Sequence, residues 1–214
     1  MKQLERLLAE KLLQISAVKL QPAIPFTWRS GWRSPIYNDH RRALSYPKVR
    51  NFIKAELARI VLERFPDVDA IASVSTGAIA IGALAADCIG ASFVYVRSTP
   101  KDHGLENSIE GNLVPKQKVV IVEDVVTTGA NAIKAIETVK AAGCEVLGAV
   151  TIFSFEFHKA LAAFSDLDIP LVAMTNYHDL VDVASENNYV RKDDVKVLRQ
   201  WHNDPANWIP APLR

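Results

Sequence analysis

Residues 119–133 read VVIVEDVVTTGANAI, and here residue types and spacing can do chemistry. Four β-forming aliphatics run into two adjacent acids, Glu123 and Asp124. Val125 and Val126 follow, then Thr127, Thr128, Gly129, Ala130 and Asn131. Two neighbouring carboxylates at the end of an apolar strand are costly unless hydroxyls or a cation meet them. Successive strand residues face opposite sides, so the two acids need not share one task. Residues 127–131 would present backbone N–H groups at a helix N-terminus, where the dipole amounts to about half a positive charge. Threonine hydroxyls and a glycine without Cβ let a phosphate come close. Acids for a diol, beside an amide nest for one phosphate, describe a site for a ribose 5-phosphate. A buried strand followed by a helix cap would give the same string without a ligand. A Walker loop is excluded, because no Gly-Lys-Thr/Ser follows.

A strand, a turn and a helix must position that segment, and the surrounding pattern supplies the rest of such a fold. Residues 70–74 (AIASV), 92–96 (SFVYV), 119–122, 145–153 and 171–174 read as strands. Residues 78–88, 130–142 and 158–164 read as helices, the second ended by Gly143. Apolar strands alternating with helices imply a parallel sheet covered on both faces. The expectation is a doubly wound, mainly parallel α/β core over about residues 65–175. Its ligand should sit where the loops after Val74, Val96 and Val122 gather. Upstream, Leu4, Leu7, Leu8, Leu12 and Ile15 share one helical face, and charges are threaded between them as in no secretory leader. Residues 21–46 read as loop with short strands, and Pro47 opens a helix carrying Val49, Phe52, Ile53, Leu57, Ile60 and Val61. Residues from about 1 to 46 and a Pro-rich, irregular C-terminal tail would form a small hood on a single domain spanning 1–214. Trp201 and Trp208 read as packing residues of that hood.

Composition narrows the classes further. The chain has 214 residues, 49% of them hydrophobic, with 9 Gly and 11 Pro, which excludes a disordered or collagen-like chain. A chain of this size buries about 70% of its unfolded surface and needs no staples. The formal net charge is +1, so no global basic field recruits nucleic acid or an acidic membrane, and any polyanion needs a local cluster. No apolar run approaches the ~18 residues of a membrane span. Cys88 and Cys144 read as two buried small hydrophobes in a reducing compartment, and the whole as a soluble cytosolic protein.

One aperiodic stretch, residues 98–113, is useless for a core. Arg97, Lys101 and His103 place three potential cations beside it, with Gly104 and Gly111 as hinges. A segment of that kind suits a lid whose cations neutralise charge on a departing diphosphate.

Three blocks carry a family resemblance. Residues 119–133 closely resemble the phosphoribosyl pyrophosphate (PRPP) signature of type I phosphoribosyltransferases. Residues 26–37 (FTWRSGWRSPIY) resemble the hood of orotate phosphoribosyltransferases. Residues 95–104 (YVRSTPKDHG), with Ile109, Glu110 and Gly111, resemble their mobile catalytic loop. Order and spacing match over nearly the whole chain. The resemblance implies the type I fold, orotate and PRPP as substrates, Mg²⁺ as cofactor, and a homodimer whose loop reaches the partner's site. It implies that Glu123 and Asp124 hold ribose hydroxyls, that residues 125–131 bind PRPP with Thr127 to Asn131 on the 5-phosphate, and that Arg97, Lys101 and His103 meet the pyrophosphate. Lys101, His103 and Asp124 would be catalytic. Arg29, Ser30, Gly31, Ile36, Tyr37 and Thr127 would meet orotate, Ser30 and Gly31 through backbone N–H groups and Ile36 and Tyr37 through apolar surface. The turn at residues 73–78 would bring amides to the pyrophosphate. No metal ligand is assigned on the chain.

Four positions depart from the commonest pattern. Ser98, Arg29 and Gly77 stand where many or some family members carry lysine. Ser154-Phe155-Glu156-Phe157 holds no arginine for the orotate carboxylate. Arg29 and Arg33 are then the candidates to grip that carboxylate in two bonds. The alternatives are a phosphoribosyltransferase for another nucleobase and a non-catalytic, PRPP-sensing regulator. The hood and the Arg97, Lys101 and His103 loop weigh against the first; the near-neutral charge, the lack of a separate helix-turn-helix pattern and the loop's lysine and histidine weigh against the second.

Overall fold

The computed structural model describes residues 1–28, 30–97 and 108–210. In chain order the helices are α1 (Lys2–Gln14), α2 (Pro47–Arg64), α3 (Ile79–Ile89), α4 (Ala130–Ala141), α5 (His158–Asp166), α6 (Tyr177–Glu186) and α7 (Lys192–Asn203). The strands are β1 (Val18–Leu20), β2 (Phe26–Thr27), β3 (Arg33–Ser34), β4 (Ile36–Asn38), β5 (Ala70–Val74), β6 (Ser92–Val96), β7 (Ile109–Glu110), β8 (Lys118–Val126), β9 (Glu145–Ser154) and β10 (Leu171–Asn176). The chain gathers into two compact units, residues 44–174 and residues 1–43 with the chain from Thr175 onward.

Residues 44–174 carry the large sheet, in the order β10-β9-β8-β5-β6-β7. The pairs β5–β6, β5–β8 and β8–β9 are parallel, while the two-residue β7 runs antiparallel to β6. The doubly wound, mainly parallel sheet is therefore the one the sequence predicts. Its strands read as continuous apolar runs because both faces are covered. Ala70, Ala72, Val74, Val94, Val96, Val119 and Ile121 pack on Ala132, Ala135, Ile136 and Val139 of α4, with Ala160 and Phe164 of α5 completing the layer. Ile71, Ser73, Val120 and Val122 alternate to the other face and are fully buried there. Burying a side chain such as Ile136 stabilises the fold by about 1.5–3 kcal/mol.

Two sequence expectations are corrected. β8 does not end at Val122; it continues through both acids to Val126, because β9 pairs Glu123 with Thr151, Val125 with Phe153 and Val126 with Ser154. Pairing on the other side stops at Ser73 with Val122, where β5 turns away. Cys144 is buried, but Cys88 is exposed, so only one of the two behaves as a core residue.

The other unit is built on α1, α6 and α7 with two small hairpins. β1 pairs antiparallel with β4, and β2 with β3. Of the tail expected to be irregular from Trp201 onward, residues 201–203 complete α7, and residues 204–210 are irregular as expected. The Asn176 side chain accepts from the Asp179 amide to cap α6, and the Asp194 carboxylate accepts from the Arg191 amide and guanidinium at the start of α7. Trp201 is fully buried, donates to the Arg33 carbonyl at 3.0 Å and meets Trp28 edge to face. Tyr177 is also fully buried and donates to the Leu198 carbonyl at 2.9 Å. Burial pushes its phenol well above the usual tyrosine range. Trp201 thus packs as expected, and Trp208 is half-buried.

Candidate active site

The chain leaves β5 through α3 to β6 on one side and leaves β8 through α4 to β9 on the other. Neighbouring strands whose connections diverge leave a crevice at their carboxyl ends, the usual ligand position in such sheets. Here β5 stops at Val74 while β8 runs on, so Glu123 and Asp124 lie on the open edge of that crevice.

Beyond β8 the chain must reverse into α4 within a few residues. Gly129 makes the reversal with φ +80, a left-handed conformation that a side chain disfavours by about 1–2 kcal/mol. A Cβ there would meet only ordinary contacts at 3.5–3.6 Å, so conformation and not crowding requires glycine. The Ile133 amide donates to the Gly129 carbonyl at 2.9 Å as the first bond of the helix. Helical geometry then leaves the amides of Ala130, Asn131 and Ala132 without intrahelical acceptors, and no side chain caps this end. Glu123 and residues 125–132 line a concave pocket of about 80 Å³ around those amides. Val125, Val126, Thr127, Thr128, Gly129, Ala130 and Asn131 therefore stand together as the sequence predicts, joined by Ala132.

The acids differ in environment. Glu123 is 6% exposed, and Asp124 is half-buried. Burial pushes the Glu123 carboxyl well above its usual range, and a hydrogen bond with Asp124 and the aspartate's charge push it the same way. The Asp124 amide also donates to Glu123 Oε1 at 3.3 Å.

Arg97, at the end of β6, bridges to Glu110 of β7 at 3.2 Å, and its amide donates to Ser108. Arg97, Asn131 and Lys134 border a small niche floored by Val74, Val96 and Ala135. Asn131 belongs to both pockets. Sequence reasoning passed over Lys134, although its i+3 spacing from Asn131 on the predicted helix puts the two on one face. The turn after β5 spans residues 75–78 and contains a cis Ser75–Thr76 peptide; Ser73 and Val74 are strand, not turn. Lys101, His103 and Arg29 lie outside the described residues.

In the other unit, Ser30 and Gly31 form the tip between β2 and β3. Gly31, with φ +87, donates its amide to the Trp28 carbonyl at 2.9 Å, and Ser30 Oγ accepts from the Trp32 amide at 3.4 Å. The expectation of an unoccupied Gly31 N–H is thus corrected, because the hairpin itself uses it. Ile36 is also corrected: it is fully buried, while Tyr37 remains 41% exposed and lies 5.4 Å from the Phe26 ring. Of that pair only Tyr37 offers surface. Among the described residues no three His, Cys, Asp or Glu side chains are grouped to hold a metal, and no helix is long and apolar enough to cross a membrane.

Comparison with known proteins agrees with this geometry. The model of the phosphoribosyl transferase domain family matches residues 50–168. An orotate phosphoribosyltransferase of Bacteroides fragilis is 57% identical over 208 residues, covering 97% of this chain and 98% of that protein. Among solved structures, orotate phosphoribosyltransferase from Aeropyrum pernix superposes with a TM-score of 0.74 at 26% identity, over 86% of this chain and 99% of that one. UMP synthase of Leishmania donovani superposes with a TM-score of 0.79 at 27% identity, over 93% of this chain; the match spans 42% of that longer protein. The chain belongs to the phosphoribosyl transferase family and, within it, to the orotate phosphoribosyltransferases.

Proposed function

We infer that the protein transfers the 5-phosphoribosyl group of PRPP to orotate, giving orotidine 5′-phosphate and pyrophosphate in pyrimidine synthesis. The observation that carries this is the left-handed turn at Gly129, which sets three helix amides, without a cap among the described residues, beside the buried Glu123 and half-buried Asp124 at the carboxyl end of the sheet. In this reading the amides of residues 127–131 and the threonine hydroxyls take the 5-phosphate. Glu123 and Asp124 accept from the ribose hydroxyls. The bond from C1 to the diphosphate breaks, the electron pair leaves on pyrophosphate, and N1 of orotate, having lost its proton, bonds to C1. Arg97, Lys101 and His103 receive the charge that builds on the leaving group, and cations closing over a dry site are worth most where charge develops. Thr127 also meets the base, with Arg29, Ser30 and Tyr37 as the remaining orotate contacts. Mg²⁺ travels on the diphosphate, since the ion favours phosphate oxygens and water and needs at most one or two carboxylates.

The protein works as a cytoplasmic homodimer whose loop serves the partner's site. Mixing two inactive variants, Lys101→Ala and Asp124→Ala, restores activity if the loop is shared and leaves the mixture inactive if it is not. The reaction is tested by the loss of orotate's ultraviolet absorbance. The loss should require PRPP and Mg²⁺ together. Turnover of a purine base with none of orotate would assign the site to a different phosphoribosyltransferase.

A further inference from the structure

Gly77 interrupts the turn that faces Asp124, and its reason for being glycine differs from that of Gly129. Its φ lies outside the left-handed region, so the backbone conformation does not call for it. A Cβ built on Gly77 would instead run into the Asp124 carboxyl, whose Cγ and two oxygens are its three nearest neighbours, Oδ1 at 2.5 Å. The turn has little room to yield. The Ser75 amide is tied to the Val96 carbonyl at 2.9 Å, and the Ile79 and Gly82 amides to the Thr76 and Ala78 carbonyls at 3.3 and 2.9 Å. Asp124, in contrast, is a half-buried side chain that can rotate.

We infer that Gly77 is a positioning residue for Asp124: the missing side chain seats the carboxylate against the turn, and that seat aims it at the donor's ribose. The inference rests on the phosphoribosyltransferase reading and adds a residue to it. Its consequence is specific. Any side chain at 77, a lysine included, displaces the carboxylate before it adds a contact of its own. Because the clash falls on the end of a rotatable side chain, the fold survives while the aim is lost.

The test is a double-mutant cycle read by calorimetric PRPP binding without base and by steady-state kinetics. Gly77→Ala should raise both the Kd and the KM for PRPP at least about tenfold. It should leave the orotate KM within about twofold and the melting temperature within about 2 °C. In the Asp124→Ala background, where nothing remains to be displaced, the same substitution should change PRPP binding less than about twofold. Equal losses in both backgrounds would overturn the inference, since Gly77 would then act on the donor directly. If Gly77→Ala alone does not fold, Asp124→Ala must restore folding; failure to do so overturns it equally. A parent protein that neither binds PRPP nor consumes orotate would defeat the underlying reading instead, and the two failures are distinguishable.

Discussion

The two compact units prepare for ligands in different ways. In residues 44–174 the groups offered to a ligand are mostly backbone: amides fixed by the start of α4, a turn held by its own hydrogen bonds, and two acids on a strand paired along one edge only. In the other unit they are mostly side chains on a two-residue hairpin, whose tip amide at Gly31 is already spent on Trp28. Backbone sites recognise what every donor shares, a phosphate and a sugar, and lose little entropy on binding because the chain is already ordered. Side-chain sites carry the choice of base. The contrast teaches that substitutions in the first region should act on the donor and those in the second on the acceptor.

The largest expected effect concerns the chemical step and not the binding of either substrate. Lys101→Ala should lower kcat by about 10²–10³, or 2.7–4 kcal/mol, with little change in KM, as for a donor aimed at developing charge. A pure KM effect would place the lysine among the ground-state contacts. The comparison itself is sharpened by a crossed pair. Gly129→Ala should weaken PRPP binding about tenfold through the strained turn while leaving orotate alone. Arg29→Ala should raise the orotate KM at least about tenfold, roughly 1.4 kcal/mol, while leaving PRPP alone. If each variant affected both substrates equally, the division of labour would be broken.

A smaller effect follows from Glu123. Its carboxyl titrates well above the usual 4.5, so the folded chain keeps a proton that the unfolded chain gives up. Stability linked to that proton is complete below the unfolded value and is lost as pH rises towards the folded one. Glu123→Gln removes the loss. Its melting temperature should therefore gain on the parent's as pH rises above the ordinary carboxylate range, while PRPP binding weakens. A gap that stayed constant with pH would mean that Glu123 is ionised in the free protein. Smallest is Ser73→Ala. The hydroxyl is buried with no hydrogen-bond partner among the described residues, so its removal should change stability by less than about 1 kcal/mol or raise it slightly.

The sheet was legible because β5, β6, β9 and most of β8 are unbroken apolar runs between helix signals. The acids at the end of β8 hid its last four residues, since nothing in an apolar pattern reveals that β9 pairs alongside them. Helices α6 and α7 escaped although their signals were present: Asn176 three residues before Asp179, and Arg191 three before Asp194, are cap spacings in a polar stretch. The turn from β8 into α4 was readable because its groups are contiguous. The contact between Gly77 and Asp124 was not, because it joins a turn and a strand far apart in sequence, and a glycine gives no hint of whether conformation or crowding demands it. Ile36 and Cys88 failed for a related reason: residue type alone does not say which way an apolar side chain faces.

The central claim is that the strand-end acids and the amides after them hold the ribose phosphate. A crystal structure with bound PRPP tests it most directly. The account predicts the 5-phosphate against the amides of residues 127–131 and the ribose hydroxyls on Glu123 and Asp124. A donor bound with its phosphate away from Gly129 and its sugar away from Asp124 would contradict it.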